Sequence, residues 1–178
     1  LIESRDGSTG LHVKNTQNYV QILTKALREK GMYPDILDHN YELNTVKASV
    51  LHDIGKIKTP DAILLKPGRL TDEEFEVMKQ HTVAGCEIID RIIGNVEHEE
   101  YVDIARKIAR YHHERWDGTG YPDGLSGEEI PLCARIMALA DVFDALYQDR
   151  CYKKAIRPAS KVFEIIKENS GSQFDPNL

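Results

Sequence analysis

Apolar positions along the chain recur at spacings of three and four residues, which is the period of a helix with one buried face. From about Thr9 to Lys30, Val13, Val20, Leu23 and Leu27 fall on one such face, and Gly31 ends the run. Tyr33–Asn40 is predicted to be a loop. A second helix is predicted from about Asn44 to His52 or Asp53, close to Gly55. Pro60, Pro67 and Gly68 make Lys58–Arg69 an irregular connection. Thr71 followed three residues on by Glu74 is the pattern of a capping box, so a helix should start there and run to about Lys79. Further helices are predicted over about Thr82–Ile93, ended by Gly94, and about Glu99–His113.

The pattern then breaks. Glu114–Pro131 holds four glycines and two prolines, too many for a regular element. Long loops of this kind in compact domains usually carry function. This one also contains Tyr121 and Trp116, the chain's only tryptophan, which favours a binding loop. A strongly apolar helix follows over Leu132–Gln148, and a last helix runs from after Pro158 to about Asn169. No segment alternates with a period of two, and no internal repeat is visible. The predicted fold class is all-α.

Composition narrows the function. A chain of 178 residues fits one domain spanning 1–178, and 41% hydrophobic with 29% charged residues is globular, not disordered. A formal charge of −6 argues against general nucleic-acid binding. No apolar run reaches the ~20 residues of a membrane span. The first ten residues lack a signal-peptide pattern. Cys86, Cys133 and Cys151 are odd in number and form no CxxC pair, as expected of a reduced, cytoplasmic chain. The histidines are more informative. There are seven, at positions 12, 39, 52, 81, 98, 112 and 113, and in an acidic chain they are raw material for a metal site.

Three groupings carry chemistry. His52 and Asp53 are adjacent at a predicted helix end, where the two side chains can clasp one ion from either side. His112 and His113 are adjacent where an apolar helix meets the glycine-rich loop. Asp141 lies inside the apolar helix, where a carboxylate is costly unless paired or on a metal. Asp144 falls three residues on, on nearly the same face. His12 and His81 stand singly near helix starts, and each taken alone suits a structural role as well as a ligand.

Read together, these residues resemble the HD superfamily of metal-dependent phosphohydrolases, in particular its HD-GYP branch. The matching segments are His52-Asp53-Ile54-Gly55-Lys56, then Pro60 to Thr71, then His81-Thr82 and Gly85. His112 to Pro122 follows, containing Gly120-Tyr121-Pro122, and then Ala134-Arg135-Ile136 and Ala140 to Leu146. Asp149-Arg150, Tyr152-Lys153-Lys154 and Phe174-Asp175-Pro176 complete the match, which covers nearly the whole chain. The resemblance implies a helical HD-domain bundle with a long GYP loop. It implies hydrolysis of cyclic di-GMP to pGpG or GMP at a dinuclear centre of iron or manganese, with zinc also compatible. Asp53 would bridge the two ions. His12, His52 and Asp141 would complete one, and His81, His112 and His113 the other. Paired ions ~3.5–4 Å apart clamp the attacking and leaving oxygens of a phosphodiester. Asp53 and Lys56 carry the catalytic assignment. Lys56, Arg150 and Lys153 match positions for phosphate or guanine, Asp144 matches one near the guanine and metal edge, and Tyr121 would stack on a base or brace the loop. The resemblance further implies a fused sensory or receiver domain, and contacts of the GYP loop with diguanylate cyclase domains.

Two positions depart from the family. Ser8 stands where many members have the glutamate that helps hold a third metal, so two ions are expected. Asn15 stands where an arginine is frequent. Both departures leave room for a cyclic di-GMP receptor with little catalysis, and guanine recognition is not legible enough to exclude cyclic GMP-AMP as the substrate.

Overall fold

The sequence folds as the helical period predicts, and the computed structural model describes residues 9–93, 99–148 and 155–178. The α-helices are α1 (Thr9–Glu29), α2 (His39–Ala48), α3 (Asp61–Leu64), α4 (Asp72–Lys79), α5 (His81–Ile93), α6 (Glu99–Tyr111), α7 (Leu132–Tyr147) and α8 (Ala159–Glu168). No strand occurs among the described residues, where only isolated bridges join Asp117 to Ser126 and Ser170 to Phe174. No described helix is long and apolar enough to cross a membrane.

The centre of the molecule is α7. Every residue from Leu132 to Ala140 is buried, because α1, α6 and α8 all pack against this helix. Ile104 and Ile108 of α6, Val20 of α1 and Ile136 and Met137 of α7 form the core. Burial of such side chains contributes roughly 1.5–3 kcal/mol each. The Tyr41 hydroxyl accepts the Cys133 N–H at 3.0 Å and ties α2 to the first turn of α7.

Element ends follow local chemistry. The predicted capping box is present: Glu74 N–H donates to Thr71 Oγ1 at 3.3 Å and Thr71 N–H to Glu74 Oε2 at 2.8 Å. The second helix differs from expectation. It begins at His39, because Asp38 caps it by accepting the Tyr41 N–H at 2.7 Å, and it ends at Ala48. The chain then tightens into two 3₁₀ turns, Ser49–Leu51 and Ile54–Lys58. His52 and Asp53 therefore lie between short turns, not on an α-helix. The irregular stretch after Lys58 also holds the short helix α3.

Gly55 lets the second 3₁₀ turn press against α5. A Cβ there would stand 1.8 Å from the His81 carbonyl oxygen and 2.5 Å from the Gly85 nitrogen. The glycine-rich loop is ordered by its own chemistry. Glu114 Oε1 accepts the Asp123 and Gly124 N–H groups at 2.8 and 3.1 Å. Trp116 and Asp117 N–H donate to the Gln173 and Ser172 carbonyls, so the C-terminal segment holds the loop in place.

Candidate metal centre

Five histidines from four segments meet at one place. His12 comes from α1, His52 from the junction between the two 3₁₀ turns, His81 from the start of α5, and His112 and His113 from the turn that ends α6. Ring centroids form a continuous chain: His12–His52 5.5 Å, His52–His112 5.4 Å, His112–His113 4.0 Å and His81–His113 5.1 Å. Asp53 stands among them. Its Oδ2 is 3.4 Å from His52 Nε2, while its Oδ1 is 3.5 Å from His81 Nε2 and 3.8 Å from His112 Nε2. The two carboxylate oxygens thus face different groups of imidazoles. One donor group is His12, His52 and Asp53, and the other is Asp53, His81, His112 and His113. Asp141 joins the first side through His12, whose Nε2 lies 3.3 Å from Asp141 Oδ1.

Backbone carbonyls set the tautomers of three rings. His52 Nδ1–H donates to the Ser49 carbonyl at 2.8 Å, His81 Nδ1–H to Met78 at 2.7 Å and His112 Nδ1–H to Ile108 at 2.9 Å. Each Nε2 then presents a lone pair. All three Nε2 atoms and Asp53 Oδ1 are buried without a hydrogen-bond partner. Buried polar atoms are normally satisfied, so four orphaned acceptors converging on one point call for a cation. His12 makes the same case. With Nδ1 directed at Asp144 Oδ2 at 2.7 Å, its Nε2 faces the Asp141 carboxylate, an acceptor pair that needs a proton or a metal ion between them. The donors fit a divalent ion of the imidazole- and carboxylate-binding kind.

The electrostatics agree with ligand duty. Burial opposes ionisation of Asp53, but the Lys56 ammonium at 2.6 Å and the His52 ring hold its pKa well below the usual carboxylate range. Asp141 is likewise lowered: burial acts to raise it, but the His12 hydrogen bond together with the neighbouring His52 and His113 rings outweighs burial. Burial pushes His113 down to about 4, lowers His81, and puts His112 well below the ordinary imidazole range. Burial works the same way on His12, yet hydrogen bonds to Asp141 and Asp144 overcome it and raise it to about 9.

Each position expected from the sequence can now be located. His12, His52, Asp53, Lys56, His81, His112, His113 and Asp141 come together as described. Asp144 is turned into the protein. Its side chain is 1% exposed, and its oxygens are taken by His12 and by Asn15 Nδ2 at 3.0 Å. Tyr121 is packed: its ring stacks on His113 at 4.9 Å and 28°, meets Phe75 edge-on at 6.0 Å, and has the Lys79 ammonium over it at 5.7 Å. Trp116 is also packed, under the Arg135 guanidinium at 5.7 Å. Arg150, Lys153, Ser8, Cys151 and His98 lie outside the described residues. His39 is exposed, as expected, and Cys86 and Cys133 are free thiols. Sequence reasoning missed the link from Asn15 to Asp144, although the three-residue spacings His12–Asn15 and Asp141–Asp144 signal it. It also assigned no role to the buried ion pair of Arg135 and Asp175, 2.5 Å apart. A cavity of about 490 Å³ lies elsewhere, between α1, α7, α8 and the C-terminal residues, and is lined mainly by apolar side chains such as Ile22, Leu139, Phe143 and Phe163.

A helical bundle that gathers adjacent His-Asp and His-His pairs around a shared carboxylate is the arrangement of a metal-dependent HD protein. The chain belongs to the HD domain family, whose profile matches residues 11–178. It is 49% identical over 179 residues to a cyclic di-GMP phosphodiesterase of Vibrio cholerae, covering 99% of this chain and 36% of that protein. It is 37% identical to the 3'3'-cGAMP-specific phosphodiesterase 2 of the same organism, covering 99% of this chain and 31% of the relative. The chain thus spans well under half the length of these curated relatives. Among solved structures, a cyclic GMP-AMP-specific phosphodiesterase of V. cholerae shares the fold, with a TM-score of 0.64 at 19% identity over 93% of this chain and 41% of that one.

Proposed function

We propose that this chain is the catalytic unit of a cyclic di-GMP phosphodiesterase of the HD-GYP type, working through two divalent ions, iron or manganese, with zinc also compatible. The observation that carries the reading is Asp53, whose two oxygens face two separate imidazole groups with unused Nε2 lone pairs. His12, His52 and Asp141 would hold one ion with Asp53, and His81, His112 and His113 the other. When bound, the ions supply Lewis-acid charge to the phosphodiester and make water acidic enough to act as a nucleophile near neutral pH.

The chain's own residues would prepare that chemistry. Backbone carbonyls hold His52, His81 and His112 with Nε2 inward, so little reorganisation is needed. Lys56 fixes Asp53 Oδ2 and brings a cation to the reacting phosphate in an otherwise acidic chain. Arg150 and Lys153 are proposed to bind phosphate or guanine. Tyr121 braces His113 and keeps water from that side of the ring. Hydrolysis adds water across one P–O3′ bond, forming the new O–P bond and leaving a protonated 3′-hydroxyl on linear pGpG; repetition yields GMP. Fused sensory or receiver domains, partner cyclase domains at the GYP loop and a cytoplasmic setting belong to the same proposal.

The 37% identical cGAMP-specific relative favours a second reading, in which cyclic GMP-AMP is the better substrate. The receptor reading finds less support, because the ligand set suggested by the sequence is whole. Protein purified without oxygen, loaded with Mn or Fe and given each cyclic dinucleotide, should turn over cyclic di-GMP fastest. Asp53→Ala should bind neither ion and form no product. Unchanged hydrolysis by that variant would overturn the mechanism; preferential cleavage of cyclic GMP-AMP would overturn the substrate assignment.

A further inference from the structure

Three of the inward-facing histidines owe their orientation to the main chain, and His12 does not. Its Nδ1 lies 2.7 Å from a carboxylate oxygen of Asp144, a side chain only 1% exposed, and the other oxygen of Asp144 accepts the Asn15 amide at 3.0 Å. Thr16 and Asn15 belong to the same turns of α1 as His12, and the Thr16 hydroxyl returns to the His12 carbonyl at 2.9 Å, so the helix under His12 is itself fixed. Asp144 is one turn along α7 from Asp141, which faces His12 Nε2. The helix pair α1 and α7 therefore grips one imidazole from both nitrogens. A carboxylate behind a ligating histidine fixes its tautomer and raises its basicity, which a carbonyl does less strongly.

From this geometry we propose that Asp144 and Asn15 are a positioning pair for His12, and that they set the metal affinity of the His12 half of the centre independently of the His81 half. The proposal rests on the two-ion reading above. It also gives Asn15 a role: the short amide spans to Asp144 and leaves the carboxylate turned toward His12.

Titration of metal-free protein with Mn²⁺, followed by calorimetry, tests this without any substrate. Wild-type protein should take up two ions. Asp144→Asn should weaken one of them by about 10- to 100-fold and leave the other unchanged. Asn15→Ala should weaken the same ion by a smaller factor; alanine favours the helix, so this variant folds even where the charge-changing one does not. His81→Ala should weaken the other ion, and His81→Ala with Asp144→Asn should leave no tight site. Equal weakening of both ions by Asn15→Ala, or no change in either variant, would overturn the proposal while leaving the centre intact. Uptake of no Mn²⁺ by wild-type protein would remove the two-ion reading and this inference with it.

Discussion

At the scale of single residues, the centre is a set of imidazoles whose proton affinities have been pulled apart. His12 is raised to about 9 by its carboxylate neighbours, while burial lowers His113 to about 4 and depresses His81 and His112 as well. In the metal-free protein these shifts act on stability in opposite directions. Between pH 6.5 and 9 the folded state holds a proton on His12 that the unfolded state has released, so this contribution is complete below 6.5 and lost as pH rises through 9. Below 6.5 the unfolded chain protonates His81, His112 and His113 while the folded one resists their protonation, so stability also falls as pH drops toward 4. Urea unfolding midpoints in the presence of a chelator should therefore peak near neutral pH. A profile flat from pH 5 to 9 would contradict these environments. Saturating Mn²⁺ should raise the midpoint across the range, because it binds the folded state alone.

At the scale of elements, the site depends on short turns more than on long helices. The 3₁₀ turns around His52 and Asp53 make a tight corner, and Gly55 allows that corner to touch the first turn of α5 beside His81. Backbone atoms lie where a methyl group would go, so no side-chain rotation relieves the contact. Gly55→Ala should cost at least about 2 kcal/mol and should draw Asp53 away from His81, weakening Mn²⁺ binding. Both effects are measurable by urea unfolding and metal titration. By contrast, Thr71→Ala removes only the N-cap of α4 and should cost about 1 kcal/mol with metal uptake unchanged.

Across the whole molecule, one buried ion pair joins parts far apart in sequence. Arg135 of α7 and Asp175 of the C-terminal segment are both buried, and Asp175 also accepts the Tyr33 hydroxyl at 3.1 Å and the Asn177 N–H at 2.8 Å. The Arg135 guanidinium lies over both Tyr33 and Trp116. The α1–α2 connection, the glycine-rich loop, α7 and the C-terminal segment therefore meet at one charge pair. Asp175→Ala leaves the guanidinium buried and unpaired, and should cost about 3–5 kcal/mol. Adding Arg135→Met should recover much of that loss, since the uncompensated charge is gone. Trp116, the chain's only tryptophan, should report both changes by fluorescence.

Much of this protein was legible in the sequence, for reasons that are local. The 3.6-residue period marks α1, α5, α6 and α7, the Thr71–Glu74 spacing marks the start of α4, and adjacent His-Asp and His-His pairs mark ligand chemistry because those residue types seldom cluster without cause. Other features were decided only by tertiary contact. The sequence does not show that Asp144 is buried with both oxygens engaged by His12 and Asn15, nor that the Tyr121 ring packs on His113. The expected α-helix at His52 gives way after Ala48 to 3₁₀ turns, the second of which presses Gly55 against α5. Sequence determined which donors are present, since side-chain chemistry belongs to each residue alone. Only the fold decided which lone pairs remain unused, because that depends on which carbonyl or carboxylate each ring meets in space.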